Sequence, residues 1–520
     1  MLYRYRLPIL AGVLAGTSYI PFPPWALFFC LVPLWLFVIS AKNSKEVFLG
    51  AWITQFILSA IGFNWVAHTA VEMGHFSWFY GVLSLIGFCS VAHLYIPISA
   101  AVWYWINKHW PLGALSRVLL LATLLAFFTN IFPSMFPWHF GYPWLWVGLP
   151  GIQVADWIGF EGLSLVTLLI NGLLTLAWIE RKNLKTTYRS IGAAVSLFVL
   201  VNLVGLIKSE NLAPPDASIK VLIVQGNIGN FEKLEAEKGT TQFRPAIIDR
   251  YLDLTKQGLA AHPEAEIVIW PETAFPNYID SEFKTESAVA RLRVFLLSAH
   301  RPLITGAYSR NAETRVTYNA LAAVNSDGEL LMDHPYRKTI RLAYGEYVPG
   351  AEYFPVFNKI FPNVSTIGVG SGPTVIKLNS WRFGLQICYE GIFTWFSNAL
   401  AKSGAEVFIN VANDSWFGHS FEAYQHLYMT VARAIEFRIP LIRSTNTGIT
   451  TVGLANGKTL EFSPQNQEWF GLYEVPYRRN PPQSIYSYVE PIWYLFLLLL
   501  CGLVIWRSQA KPQKNKKPAV

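Results

Sequence analysis

Residues 384–390 read Gly384-Leu385-Gln386-Ile387-Cys388-Tyr389-Glu390, a short apolar run that stops at a cysteine and then turns polar. A run of that length, bounded by polar residues, reads as a buried strand. Upstream, Ile269-Trp270-Pro271-Glu272-Thr273 is built the same way and ends in a glutamate. Comparable runs recur at Lys220–Gln225, Ala265–Trp270, Leu303–Tyr308, Glu406–Val411 and Leu441–Ser444, while Ser287–Ala299 and Glu422–Phe437 look helical. Strands alternating with helices argue for a layered α/β fold. In such folds reactive and ligand-binding groups gather at the carboxyl ends of strands, where Glu272 and Cys388 both stand.

Outward from this domain the composition changes. The chain has 520 residues, 52% of them hydrophobic and only 14% charged. A soluble domain is about one-quarter charged, so the deficit points to a part dissolved in lipid. The apolar runs are Ile9–Ile20, Ala26–Ser40, Val47–Val66, Trp78–Ile106, Val118–Phe132, Gly162–Ile179, Ile191–Ile207 and Ile492–Trp506. Crossing a bilayer takes roughly 20 apolar residues, so the first two are short and the fourth is long enough to tilt. Lys and Arg cluster at 4–6, 42–45, 108–117, 181–189 and 507–517, whereas loops 67–77 and 133–161 have none. By the positive-inside rule both termini face the cytoplasm, about eight spans cross, and the middle domain lies outside. Arg478 and Arg479 stand against the rule, but long domains translocate largely regardless of charge. The expected division is 1–207 as a membrane bundle, 208–486 as the extracytoplasmic domain, and 487–520 as a last span with a basic cytoplasmic tail. No small-x-small cleavage site follows the first run, which therefore reads as an uncleaved span.

Net charge is +8, yet the basic residues flank apolar runs and form no nucleic-acid face. Of the four cysteines, Cys30, Cys89 and Cys501 lie in apolar runs, and only Cys388 lies in the polar half. That half has no intrachain disulfide of its own, and no C-x-x-C pair suggests a metal.

A third segment joins the two that end in Glu272 and Cys388: Tyr336-Arg337-Lys338-Thr339-Ile340-Arg341-Leu342-Ala343-Tyr344-Gly345-Glu346-Tyr347-Val348-Pro349. Singly, such residues are commonplace: a solvated carboxylate, a surface charge, a packed thiol. Together, Glu272, Lys338 and Cys388 resemble, in type and chain order, the catalytic set of the nitrilase superfamily. Asn410-Val411-Ala412-Asn413-Asp414-Ser415-Trp416-Phe417-Gly418 and Arg443-Ser444-Thr445-Asn446-Thr447-Gly448 extend the likeness, as does Val224-Gln225-Gly226-Asn227-Ile228. With spans on both sides of the domain, residues 9–506 look like an apolipoprotein N-acyltransferase. The resemblance implies a multi-pass α-helical membrane bundle carrying an α/β nitrilase-like α-β-β-α sandwich, in the bacterial inner membrane with the catalytic domain on the periplasmic side.

It also implies a reaction. Cys388 would take a fatty acyl group from a membrane phospholipid as a thioester and pass it to the N-terminal amine of a diacylglyceryl-modified apolipoprotein, with no cofactor. Glu272 is then the base. Lys338, with a backbone N–H near Tyr389, stabilises the oxyanion. Glu346 supports Lys338, and Tyr389 and Glu390 shape the pocket. His334, His426 and Asp414 fall outside the matched set and read as structural. Two departures from the family pattern concern the surroundings: Leu234 follows Lys233 where a Trp is usual, and Arg341-Leu342-Ala343-Tyr344-Gly345-Glu346 replaces Leu-Val-Pro-Phe-Gly-Glu. The polar stretch Gly226–Thr241 is expected to be a mobile flap. Two other functions compete: a membrane-bound amidase or nitrilase with water as acceptor, and a transporter with an accessory domain. The spans hold few polar groups, His93 and Asn171 among them, which weighs against transport.

Overall fold

The computed structural model describes residues 2–74, 77–229, 232, 243–280, 286–332, 334–356, 359, 364 and 366–510. The chain divides into two compact units: Met1–Asn64, Leu83–Glu210 and Tyr488–Val520 form the first, and Trp65–Val82 with Asn211–Ser487 the second.

Helices run α1 (Arg6–Gly16), α2 (Val32–Ser40), α3 (Ser44–Gly62), α4 (Val66–Gly74), α5 (Trp78–Val91), α6 (Tyr95–His109), α7 (Ala114–Ile131), α8 (Ala155–Ile179) and α9 (Leu184–Glu210), with a last membrane-type helix at Trp493–Ala510. Among the described residues, five stretches are long and apolar enough to cross a membrane: Trp78–His109, Ala114–Ile131, Pro150–Ile179, Leu184–Glu210 and Ile485–Gln509. A sixth is counted if Ser44–Gly62 and Val66–Glu72 form one broken span. The first two apolar runs give helices of 11 and 9 residues. At 1.5 Å per residue these rise only about 15 Å, against a hydrocarbon core of about 30 Å. The prolines at 21, 23 and 24 and the turns that follow them interrupt regular helix between them.

In the second unit, β1 (Ala217–Gln225), α10 (Phe243–Ala261), β2 (Ile267–Tyr278), α11 (Ser287–Ala299), β3 (Leu303–Arg310), β4 (Thr317–Val324) and β5 (Tyr336–Arg337) are followed by β6 (Thr374–Leu378), β7 (Trp381–Ile387), α12 (Thr394–Lys402), β8 (Val407–Ala412), α13 (Glu422–Phe437), β9 (Leu441–Thr445), β10 (Thr451–Gly453) and β11 (Trp469–Tyr477). One sheet has the order β11-β1-β2-β3-β4-β5, the other β10-β9-β8-β7-β6. Strands β1, β2 and β3 are mutually parallel, as are β7, β8 and β9, and the outer strands pair antiparallel. Tyr251 and Leu252 of α10 and Leu292 and Leu296 of α11 share a core with Leu222 and Trp270 of the first sheet. Helices α12 and α13 pack on the second sheet, and the sheets meet where β2 faces β8 and β9 and β4 faces β7. This is an α-β-β-α sandwich. Every residue of β8 and β9 is buried, the polar Asn410, Arg443, Ser444 and Thr445 included, so neither strand shows the buried/exposed alternation of a half-covered sheet.

The helices 287–299 and 422–437 fall where the sequence puts them. One strand does not end as expected: β2 continues past Trp270 to Tyr278, through an irregularity that proves to carry Glu272.

Candidate active site

Strand β2 pairs with β3 at Trp270↔Thr305 and next at Phe275↔Ala307, so residues 271–274 bulge against Gly306. Thr273 takes a left-handed backbone there, with φ of 53°. A β-bulge re-aims a side chain at the cost of local pairing. Gly306 permits the close approach, because a Cβ at 306 would lie 2.5 Å from both the Pro271 oxygen and the Thr273 nitrogen. Glu272 is buried as a result. Its Oε1 accepts hydrogen bonds from Asn319 Nδ2 at 2.7 Å and from Lys338 Nζ at 3.3 Å.

Lys338 follows the two-residue edge strand β5. Its N–H donates to the Asn319 carbonyl and its own carbonyl accepts from Gly370, both at 2.8 Å, so the backbone on each side is tied down. Lys338 as a whole is 1% exposed, and its ammonium donates to Glu346 Oε1 at 2.8 Å as well as to Glu272. Burial alone would pull its pKa down. The carboxylates of Glu346 and Glu272 more than offset that and hold it well above the ordinary lysine value. Glu346 is fixed in turn by the Leu342 N–H on Oε2 at 2.8 Å and by Asn319 Nδ2 on Oε1 at 3.1 Å. The Ala343-Tyr344 departure from the family pattern lies on this turn, with Tyr344 at φ 63° and half exposed, and Glu346 still reaches Lys338.

Cys388 ends β7 and opens a short 3-10 turn, Cys388–Ile392. Its φ is 53°, a left-handed conformation that costs an L-residue about 1–2 kcal/mol and sets its thiol apart from the strand's alternation. Burial, then the neighbouring Glu272, push the thiol pKa well above its ordinary value, and Lys338 opposes them only in part. At rest Cys388 is a neutral thiol.

Glu390 is fully buried. Its Oε1 accepts from the Thr339 N–H at 2.6 Å and the Ile340 N–H at 3.0 Å, and its Oε2 from the Ile387 N–H at 2.8 Å. The Tyr336 hydroxyl reaches both oxygens at 2.8 Å. One carboxylate thus pins the Lys338 segment to the Cys388 turn. Tyr389, also buried, packs edge-on against Phe393 with ring centroids 4.8 Å apart.

Behind Cys388 lies a buried polar group of Asn410, Asp414, His426 and Arg443. Arg443 Nη2 donates to Asp414 at 2.9 and 3.3 Å, and His426 Nδ1 lies 3.2 Å from Asp414 Oδ1. Asp414, Glu422 and His426 place possible metal-ligand atoms within 4.8 Å of one another. The Arg443 guanidinium supplies the positive charge that Asp414 faces, and burial with the neighbouring Asp414 pushes the Glu422 carboxyl well above its ordinary pKa.

Comparison with known proteins agrees with this fold. Residues 219–472 match the carbon-nitrogen hydrolase family, and residues 11–173 match the apolipoprotein N-acyltransferase N-terminal domain. A Bdellovibrio bacteriovorus protein named apolipoprotein N-acyltransferase is 42% identical over 99% of this chain and 95% of its own length. The chain belongs to the apolipoprotein N-acyltransferase family. Family members from Geobacter metallireducens and Vibrio parahaemolyticus, with the same name, are each 28% identical over 89% of this chain, covering 88% and 90% of their own lengths. The protein is therefore an acyltransferase of the nitrilase superfamily with membrane-type apolar helices. The hydrolase and transporter readings fall away.

For this acyltransferase the structure brings Glu272, Lys338 and Glu346 into direct contact and ties Lys338 to the Cys388 turn through Glu390. His334 is apart from them, 3.5 Å from Asp280. Sequence reasoning missed Asn319, which donates to both Glu272 and Glu346. Nothing in Tyr318-Asn319-Ala320 distinguishes it, since only the pairing of β4 with β3 and β5 brings it there. Leu234 and most of Gly226–Thr241 lie outside the described residues. The start of that stretch is tied down, with the Ile228 N–H on Asn446 Oδ1 at 2.9 Å and Asn446 Nδ2 on the Ile228 carbonyl at 2.7 Å.

Proposed function

We propose that this enzyme moves a fatty acyl group from a membrane phospholipid, through a thioester on Cys388, to the N-terminal amine of diacylglyceryl-cysteine apolipoproteins. The observation that carries the reading is a buried lysine held between two carboxylates and tied through Glu390 to the turn that carries Cys388. Because that thiol is neutral at rest, attack requires a base, and Glu272 is the candidate. Glu272 takes the proton as sulfur adds to the ester carbonyl. Lys338 and the Tyr389 N–H receive the oxyanion. Collapse breaks the ester bond, Glu272 returns the proton to the departing lysophospholipid, and the acyl group stays on sulfur. The lipoprotein amine then adds to the thioester while Glu272 takes its proton. Collapse expels the Cys388 sulfur, which recovers the proton, and an amide remains. Thioester to amide is downhill, so no nucleotide is needed. Glu346 keeps Lys338 charged and in place, Glu390 sets its distance from Cys388, and Tyr389 walls the pocket.

Both substrates carry acyl chains, which suits a catalytic domain joined to apolar helices. In the arrangement we infer, eight passes cross the bacterial inner membrane with both termini in the cytoplasm. Residues 1–207, apart from the 65–82 segment, form the bundle, 208–486 the periplasmic catalytic domain, and 487–520 the last span with its tail. The support is the alternation of Lys/Arg-rich and Lys/Arg-free loops.

Intact-protein mass spectrometry of the full chain in detergent, after incubation with phospholipid alone, tests the chemistry. The expected result is one added acyl chain, removable by hydroxylamine, absent from Cys388→Ala and from Glu272→Gln. Lys338→Ala should slow both half-reactions by about 10²–10³. Folded Cys388→Ala with wild-type transfer activity would overturn the reading.

A further inference from the structure

Asn410 and Arg443 are side by side on β8 and β9, and Asn410 is also the cross-strand neighbour of Gln386 on β7. Neither is exposed at all. Arg443 Nη1 donates to Asn410 Oδ1 at 2.8 Å, and Asn410 Nδ2 donates to the carbonyl of Cys388 at 2.9 Å. That carbonyl shares its amide with the N–H of Tyr389. Drawing electron density onto the oxygen of an amide makes its N–H a better donor, and hydrogen bonds in a dry interior polarise one another along a chain. The chain here begins at a full positive charge, and charge-assisted bonds are the stronger kind.

Three further features fit a relay better than plain packing. The amide at its end is flanked by the left-handed Cys388, so the direction in which the Tyr389 N–H points depends on holding this peptide. Asp414 anchors the far side of Arg443 through both of its oxygens. Arg443 holds the Asp414 carboxyl below its ordinary pKa against the effect of burial, and burial pulls the His426 pKa down, so the guanidinium is anchored on the side away from Asn410. The His426 ring, whose Nδ1 lies 3.1 Å from Arg443 Nη2, also borders this buried group.

We propose that Arg443 and Asn410 are positioning residues for the acyl transfer: they orient the Cys388–Tyr389 peptide and polarise it, making the Tyr389 N–H a stronger donor to the oxyanion. The inference rests on the proposed role of Cys388 as nucleophile.

The test compares two reactions of Cys388 in the full chain. Acylation by phospholipid passes through an oxyanion, whereas alkylation by iodoacetamide displaces iodide at a saturated carbon and makes none. Asn410→Asp keeps the shape and the partner Arg443 but loses the Nδ2 donor; Asn410→Ala serves if the first variant does not fold. Either should slow acylation, by up to about the 10²-fold that losing an oxyanion donor outright costs, through kcat with KM little changed. Alkylation should stay close to the wild-type rate, because the thiol and its neighbours Glu272 and Lys338 are untouched. Arg443→Lys, which keeps the charge, should retain more acylation than Arg443→Gln. Equal losses in both reactions would reduce the two residues to structural supports of Cys388, and no loss in acylation would remove the relay altogether. Wild-type protein that alkylates but never acylates would instead sink the parent reading.

Discussion

Glu390 has no access to water, and both of its oxygens accept backbone N–H groups. In Glu390→Gln either orientation of the amide points an NH2 at a backbone N–H. Thr339 and Ile340 on one side, or Ile387 on the other, then lose an acceptor at about 1–3 kcal/mol, and the Lys338 segment loosens from the Cys388 turn. First-turnover acylation should fall by about 10²-fold with little change in reactivity toward alkylating agents, because the loss is one of alignment. The same residue gives a pH signature. Burial pushes Glu390 from the ordinary 4.5 up to about 7, against the pull of the Ile387 and Ile340 N–H groups. The folded state therefore holds this proton more tightly than the unfolded chain. Its stabilising contribution is complete below about pH 4.5 and is lost as pH rises to about 7, a change on the order of 3 kcal/mol. The melting temperature of wild type, measured relative to Glu390→Gln, should fall across that window and level off above it. Lys338 makes a complementary case. Lys338→Met leaves Glu272 and Glu346 facing each other without their shared cation, which should cost about 3–5 kcal/mol of stability. Adding Glu346→Gln should recover part of the loss. A denaturant titration of the single and double variants decides it, and an additive result would break the assignment.

At the scale of the element, the site depends on how strands end and deform. Glu272 reaches Lys338 because β2 bulges opposite Gly306, and the bulge has room only because position 306 lacks a Cβ. Gly306→Ala should shift Pro271–Thr273 and with them the Glu272 carboxylate. Transfer should drop by about 10²-fold, as sub-ångström to ångström displacements of a reacting group do, while overall strand content in circular dichroism stays near wild type. Unchanged transfer would show that Glu272 is not placed by this bulge. The inner strands were legible as apolar runs because both of their faces are covered. β4, β5 and β6 were not, because Thr317–Val324 mixes polar and small residues, Tyr336–Arg337 is two residues long, and Thr374–Leu378 alternates with an exposed Lys377. Asn319 and the register that brings it between Glu272 and Glu346 were hidden for the same reason.

At the scale of the molecule, the compact catalytic unit is discontinuous in sequence, since Trp65–Val82 is counted with Asn211–Ser487. Trp65, itself buried, donates its indole N–H to Gln425 at 3.0 Å and packs edge-on against Phe417 with centroids 5.2 Å apart. Gln425 lies in α13, the helix that also carries His426. Trp65→Phe keeps most of the apolar surface and removes the donor from a buried amide, which should lower stability by about 1–3 kcal/mol. Thermal unfolding of the full chain in detergent measures this, and an unchanged midpoint would mean that the helical segment merely rests on the domain. Impermeant thiol reagents test the proposed topology. A cysteine introduced near Asp280 in a single-cysteine background should label from the periplasmic side, and labelling from the cytoplasmic side would invert the arrangement.

The amino-acid sequence by itself determined the layered α/β class, the apolar runs on both sides of it, and the identities of Glu272, Lys338, Glu346, Cys388 and Glu390 as candidates. The class and the runs depend on apolar periodicity and composition, and the candidates on the resemblance of short motifs to the nitrilase superfamily; neither needs a folded partner to be read. The tertiary structure alone decided that Glu390 is a buried pin and that Asn319 serves two carboxylates. It also decided that Asn410 and Arg443 stand behind the Cys388 peptide and that the 65–82 segment belongs with the catalytic unit. Each of these joins residues far apart in the chain, and their meeting depends on strand order, register and one bulge. A run of residue types does not encode those in any local pattern, because they are settled only when two sheets bury their faces against each other.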